Sequence, residues 1–328
     1  MAYGSPLQRT AGYKPALSAF AVLGSAWVFV LVVLGAFTTS IGAGMAFPDW
    51  PLSNGSLNPI GWLDNLAMFA EHSHRLSAGL MSIITLVLAI WLWRTEERAW
   101  LRKLAVFAFG LVIAQAVVGG MRVLFDPVKI ASGETSVGRL FAMLHACLAQ
   151  LFVCTLIAIA LACTRGWIER PAAVSAGLRR AGVICCGLLF AQLGIAAVMR
   201  HSFAGLAIPT FPYSTAAGGL LPPEWSFHVA IHFAHRVMAL ILTVSLVWFA
   251  VKIWRDRGTS LLMRCGASWL VSLLAFQLLL GAWIIWSRRA ATMTTGHVLV
   301  GAATLATAFS LTWLAHRDPI EEPKLHDR

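Results

Sequence analysis

Along this chain the charged positions fall in short clusters, separated by apolar stretches of about 20 residues, the length that crosses the hydrocarbon core of a bilayer. Eight such runs, at 17–38, 74–93, 103–122, 140–163, 180–199, 234–254, 263–286 and 296–315, predict eight membrane-spanning helices. An even number of spans places both ends of the chain on one side. Arg9 and Lys14 precede the first run, which has no small-residue cleavage site, so it reads as a retained helix with a cytoplasmic N-terminus. The expected organisation is a cytoplasmic segment at 1–16, a four-helix bundle at 17–165, a cytoplasmic linker at 166–179, a second four-helix bundle at 180–315 and a cytoplasmic tail at 316–328.

Composition agrees: 59% of the residues are hydrophobic and 12% charged, with mean hydropathy +0.75, where soluble domains carry about 25% charged residues. A soluble globule is excluded. The net charge of +11 would point to nucleic acid in a soluble chain, but here the basic residues sit in short loops between spans, and no nucleic-acid partner is expected. Seventeen of the 25 Lys and Arg residues fall on the predicted cytoplasmic side, and the two longest outer segments, 39–73 and 201–233, contain none. The expected location is a bacterial-type inner membrane. All six cysteines (Cys147, Cys154, Cys163, Cys185, Cys186, Cys265) lie within or at the ends of spans without a CxxC, and read as small packing residues.

The chain repeats itself. GMAFPDWPLS, from Gly44, faces GLAIPTFPYS, from Gly205, at an offset of 161 residues, and at the same offset His74-Arg75 faces His235-Arg236. Gln115 and Gly119 in the third span face Gln277 and Gly281 in the seventh at offset 162, and His145 faces His297 at offset 152, a slip explained by the shorter outer loop before the eighth span. The predicted fold is therefore an all-α polytopic membrane protein of two tandem, pseudo-symmetric four-helix bundles related by an axis along the membrane normal.

His74, His145, His235 and His297 open the even-numbered spans toward the outer side. An imidazole in a membrane helix is costly without a partner, and two matched pairs mark functional positions. Two imidazoles per bundle on facing helices suit axial ligation of haem iron, whereas zinc wants three or four clustered ligands. Arg75 and Arg236, at the water interface, are placed to pair with haem propionates or to snorkel to headgroups. Trp50, Trp62, Phe211 and Trp225 in the outer loops either cap a macrocycle or form the interfacial aromatic belt.

The halves differ at Glu71, three residues before His74, where the second half has His232. A carboxylate beside a haem accepts a proton or stabilises developing positive charge; alternatively it complements the helix dipole. His72, His201, His228, His316 and His326 lack the doubled pattern and read as interfacial or tail residues. Asp49, Asp64, Glu134 and Glu224 read as solvated, with Asp49 a candidate for shaping its loop.

The motif GAGMAFPDWPLSNG, followed by Glu71-x-x-His74-Arg75, His145, His235-Arg236 and His297 over residues 20 to 315, resembles the haem A synthase family of cytochrome oxidase assembly proteins. The resemblance implies a haem-dependent membrane oxidoreductase that oxidises the C8 methyl of haem O to the formyl of haem A for terminal oxidases. It implies that His235 and His297 ligate the iron of a resident haem b, with Arg236 beside it, and that His74, His145 and Arg75 bind the substrate haem in the N-terminal half. Glu71 becomes the catalytic residue. Implied partners are haem O, the haem O synthase (protohaem farnesyltransferase) that makes it, and a membrane or quinone-linked electron partner. Many bacterial members carry a cysteine pair in the first outer loop where this chain has Phe47 and Ser53, so a thiol step is not open to those positions here.

Two rival readings remain. A dihaem cytochrome b moving electrons across the bilayer would place histidine pairs at both depths, and no such pair marks the cytoplasmic half. A non-enzymatic haem carrier or oxidase-assembly scaffold would need the histidines but not Glu71.

Overall fold

The computed structural model describes residues 12–128, 136–169 and 173–321. Arg9, Glu134 and His326, named above, lie outside them, as do Lys129, Arg170, Lys324 and Arg328 among the basic residues counted. The described residues form α1 (Pro15–Ser40), α2 (Leu66–Thr95), α3 (Ala99–Leu124), α4 (Val137–Ala162), the short α5 (Arg165–Glu169), α6 (Ala176–His201), α7 (Phe227–Arg255), α8 (Leu261–Trp286), α9 (Ala291–Ala315) and the short α10 (Arg317–Glu321). The eight long helices are each apolar and long enough to cross a membrane, as the sequence predicts.

All eight start earlier than their apolar runs, three of them by five residues or more. α2 begins at Leu66 rather than 74, α7 at Phe227 rather than 234 and α9 at Ala291 rather than 296. Asn65 caps α2 by accepting from the Ala67 and Met68 amides, and Ser226 caps α7 by accepting from Val229. The extra turns carry Glu71, His72 and His232, whose polarity ends an apolar run. In the fold these side chains are covered by the preceding loop instead of by water.

Within the first half α1 packs on α2, α2 on α3 and α3 on α4; in the second, α6 packs on α7, α7 on α8 and α8 on α9. α1, α4, α6 and α9 meet across the middle. Ser25 of α1 donates to the Leu156 carbonyl of α4 at 3.0 Å. Gly182 lets α6 approach α9, since a Cβ there would stand 2.5 Å from Thr312 Oγ1.

The densest packing gathers at one end of the helices. One cluster joins Leu17 and Val28 of α1, Leu88 and Leu92 of α2, Leu101 and Ala105 of α3, and Leu156 and Ile159 of α4; a second joins Leu178, Leu246, Phe249, Leu270 and Leu311. The opposite end, which carries the paired histidines, is less filled. Every residue of α9 from Met293 to Leu299 is partly exposed although the helix is central, and the buried stretch starts at Val300.

The packed end is tied by a buried ionic cluster. Arg98 donates to Glu96 through Nε (2.8 Å) and Nη2 (3.0 Å), and through Nη1 to the Ala162 carbonyl and to Glu321; Trp167 Nε1 also donates to Glu321. Burial works to raise the Glu96 pKa, but pairing with Arg98 outweighs it and holds the carboxyl below its usual 4.5. Its contribution is therefore present above the ordinary carboxylate range and is lost as pH falls through the depressed folded value. Arg98→Ala strands Glu96 without its partner. It is expected to cost about 3–5 kcal/mol of stability, read as a lower unfolding temperature in detergent.

Candidate functional site

His74, His145 and His235 each follow the first residue of their helix (Leu66, Val137 and Phe227) by eight positions, and His297 follows Ala291 by six. They do not open their helices, as the apolar runs predict, but sit about two turns inside. The early helix starts account for the difference.

The structure brings His235 and His297 together, with ring centroids 6.4 Å apart and planes 58° to one another. Two imidazoles bonded to one metal ion through nitrogen at about 2 Å have centroids roughly 6.3 Å apart. Each ring faces an amide: Gln192 Nε2 lies 3.5 Å from His235 Nε2 and donates to the His235 carbonyl at 3.1 Å, and Gln277 Nε2 lies 3.3 Å from His297 Nε2. Nδ1 of both histidines is buried without a hydrogen-bond partner. A buried, unpartnered imidazole nitrogen is costly, and a metal–nitrogen bond removes that cost.

In the first half His145 is held by α3. Gln115 Nε2 donates to the His145 carbonyl at 2.8 Å and His145 Nδ1 lies 3.1 Å from the Gln115 carbonyl. One turn on, Gly119 leaves room for the ring, because a Cβ there would stand 2.9 Å from His145 Cε1. Gly281 faces the His297 ring in the same way at 3.3 Å, and Gly35 of α1 faces His74 at 2.8 Å. The Gln-x-x-x-Gly repeat, legible as a mark of register, thus forms a cradle for the histidine of the following helix, since positions four apart share a helix face.

The loops 41–65 and 202–226 are latched onto these helices by equivalent bonds. Arg75 donates through Nη1 to the Asp49 (2.8 Å) and Leu52 (2.5 Å) carbonyls, and through Nη2 to the Phe47 carbonyl (3.3 Å) and Glu71 Oε1 (2.6 Å). Arg236 donates through Nη1 to the Tyr213 carbonyl (3.4 Å), through Nη2 to Ile208 (3.0 Å) and Thr210 (2.6 Å), and through Nε to His232 Nε2 (3.3 Å). Phe47, Asp49 and Leu52 correspond to Ile208, Thr210 and Tyr213 at the repeat offset of 161. Both arginines therefore grip the loop backbone.

Glu71, 4% exposed, completes the first latch: Oε2 accepts the Ala46 amide at 2.6 Å and the Phe47 amide at 3.2 Å. In the second, the Ile208 amide nitrogen stands 3.2 Å from His232 Nδ1. Divergence has thus put an imidazole where the first half has a carboxylate, with the backbone contact kept.

Sequence reasoning placed His72 at the interface; the structure buries it. It is 3% exposed, its Nδ1 lies 3.0 Å from Ser53 Oγ, its Nε2 lies 3.1 Å from the Leu57 carbonyl, and the Trp62 ring stands edge-on to it at 4.7 Å. The Phe47 ring is 5.9 Å away. Phe47 and Ser53, the positions without the cysteine pair, therefore both meet on His72. Asp49 shapes its loop as expected, accepting the Asn54 (2.8 Å) and Gly55 (2.7 Å) amides. Burial tends to raise its pKa, but the Gly55 and Asn54 amides and nearby Arg75 outweigh that and hold it below 3.8.

Gln192, Gly35, Arg122 and Arg200 also stand at this end. None carried a functional reading from the sequence. Among the described residues no group of three or more His, Cys, Asp or Glu converges in the manner of a metal cluster. The donor set is imidazole pairs. All six cysteines are free thiols.

The molecule is thus a multi-pass helical membrane protein with histidine pairs set inside its helices at one end. A family model described as cytochrome oxidase assembly protein matches residues 18–309, and the chain belongs to this family, that of the haem A synthases. Among similar proteins, one named haem A synthase from Bacillus licheniformis is 27% identical over 290 residues, covering 87% of this chain and 90% of its own length. A haem A synthase from Geobacillus kaustophilus is 27% identical, with 80% of each chain covered, and one from Bacillus cereus is 24% identical over 92% of this chain and 93% of its own.

Proposed function

We propose that this chain oxidises the C8 methyl of haem O to the formyl of haem A, on two tandem four-helix units, the first for substrate and the second for a resident haem b. The observation that carries this reading is the His235–His297 pair, whose 6.4 Å ring spacing suits two imidazoles that would hold one iron, in a chain similar along most of its length to proteins named haem A synthase. His235 and His297 would hold the haem b, with the Gln192 and Gln277 amides beside their rings. When bound, the haem b supplies electron transfer.

In the first half His74 and His145 hold the substrate haem, with Gly35 and Gly119 leaving room for their rings. Glu71 is the catalytic residue. Held by two amides and Arg75, it presents fixed negative charge to the methyl carbon as positive charge develops there, or takes up the proton that carbon loses. Arg75 and Arg236 latch the loops over the two sites. The termini are assigned to the cytoplasmic side of a bacterial-type inner membrane and the histidine end to the outer face, on the distribution of Lys and Arg. Haem O is supplied by a haem O synthase, and the electrons leave through a membrane or quinone-linked partner.

Gly119→Ala tests the substrate half. Its Cβ displaces the His145 ring, so haem A formation in cells that make haem O is expected to fall about tenfold or more, as small misplacements of reacting groups do, with the haem b content unchanged. Haem A at the wild-type level in this variant would remove His145 from the substrate site.

A further inference from the structure

Two further arginines stand at the histidine end. Arg122, near the end of α3, donates from Nη1 to the Gly44 carbonyl. Arg200, near the end of α6, donates from Nη2 to the Ala36 carbonyl at 3.0 Å and to Ser40 Oγ at 2.9 Å. A guanidinium has five N–H donors, so among the described residues four find no partner on Arg122 and three none on Arg200. Arg75 and Arg236, in contrast, each make four hydrogen bonds.

Among the described residues neither Arg122 nor Arg200 has a carboxylate within ion-pair distance. A partly buried cation without a counter-ion is costly within a membrane-spanning bundle, and an anion that pairs with it removes the cost.

Their places match the two histidine pairs. Arg122 follows Gly119, which faces the His145 ring, by three positions on α3, and Arg200 follows Gln192, which faces the His235 ring, by eight positions on α6. Thr295, on the same helix as His297, donates at 3.2 Å to the Ser40 hydroxyl that Arg200 holds. We propose that Arg122 and Arg200 bind the carboxylate side chains of the two porphyrins, Arg122 at the substrate haem and Arg200 at the haem b. The proposal rests on the haem reading above and moves carboxylate recognition away from Arg75 and Arg236. A planar guanidinium suits a carboxylate through paired charge-assisted bonds. An anchor on one edge of the macrocycle fixes its rotation, and so selects which peripheral methyl reaches Glu71.

The test is titration of the purified full chain with haem b and with haem b dimethyl ester, whose carboxylates are masked. The second-half site is read by the absorption signal that His297→Ala removes, and the first-half site by the one that His145→Ala removes. The wild-type chain is expected to bind the ester about 10-fold to 100-fold more weakly. Arg200→Gln should abolish that preference at the second-half site alone and Arg122→Gln at the first-half site alone, while Arg200→Lys, which keeps the charge, should restore part of it.

Wild-type preference retained in both Gln variants, or lost in Arg75→Gln and Arg236→Gln instead, would overturn the assignment. Equal binding of acid and ester by the wild-type chain would overturn it as well and leave the haem reading standing. A folded chain that binds neither would overturn both.

Discussion

Glu71→Ala is expected to abolish haem A formation, by about 100-fold or more, while the haem b proposed to sit on His235 and His297 stays in place. The side chain joins three partners that nothing else in the first half brings together: the Ala46 and Phe47 amides on Oε2 and Arg75 on Oε1. Its removal deletes charge at the proposed reaction centre and frees the loop that Arg75 grips. Glu71→Gln separates the two effects, since its carbonyl oxygen still accepts the amides but bears no charge. If charge is what the reaction needs, Glu71→Gln remains inactive although its loop is held. Haem chromatography reads the product, and the reduced-minus-oxidised spectrum reads the retained haem b. A carrier or scaffold would be indifferent to both substitutions.

His297→Ala has the second large effect. With one imidazole of the 6.4 Å pair removed, bound haem b is expected to fall from about one per chain to near zero, because a single remaining His235 leaves the iron without its second protein ligand. Haem A formation falls with it. His74→Ala, in the other half, should keep the haem b and lose the product. Haem extraction from the purified variants distinguishes these outcomes. Loss of haem b from His74→Ala with retention in His297→Ala would reverse the assignment of the two halves.

Much of this was legible in the sequence because it is written in side-chain pattern. Eight apolar runs name eight helices, and the offset that aligns His74 with His235 also aligns the loops that fold over them. What the sequence hides are contacts to backbone. Arg75 and Arg236 grip the carbonyls of Phe47, Asp49, Ile208 and Thr210, and a carbonyl has no signature in sequence, so these arginines read as propionate ligands or snorkelling residues. The helix starts were misplaced for a related reason. Glu71 and His72 look like water-facing residues until the loop amides and Ser53 cover them. His72 has no counterpart in the second half, where Phe233 occupies its place, so the repeat could not flag it. Gln115 and Gly119 were visible as a repeat, but their hold on His145 requires the packing of α3 on α4.

The most direct test of the account is to express the chain with a haem O synthase in cells that lack haem A, then extract and identify the haems by chromatography and mass. The account predicts haem A, or its hydroxymethyl precursor, with the wild-type chain and neither with Glu71→Ala. If the folded wild-type chain carried haem b while haem O remained unchanged, with competent redox partners present, its assignment as the enzyme that converts haem O would be contradicted.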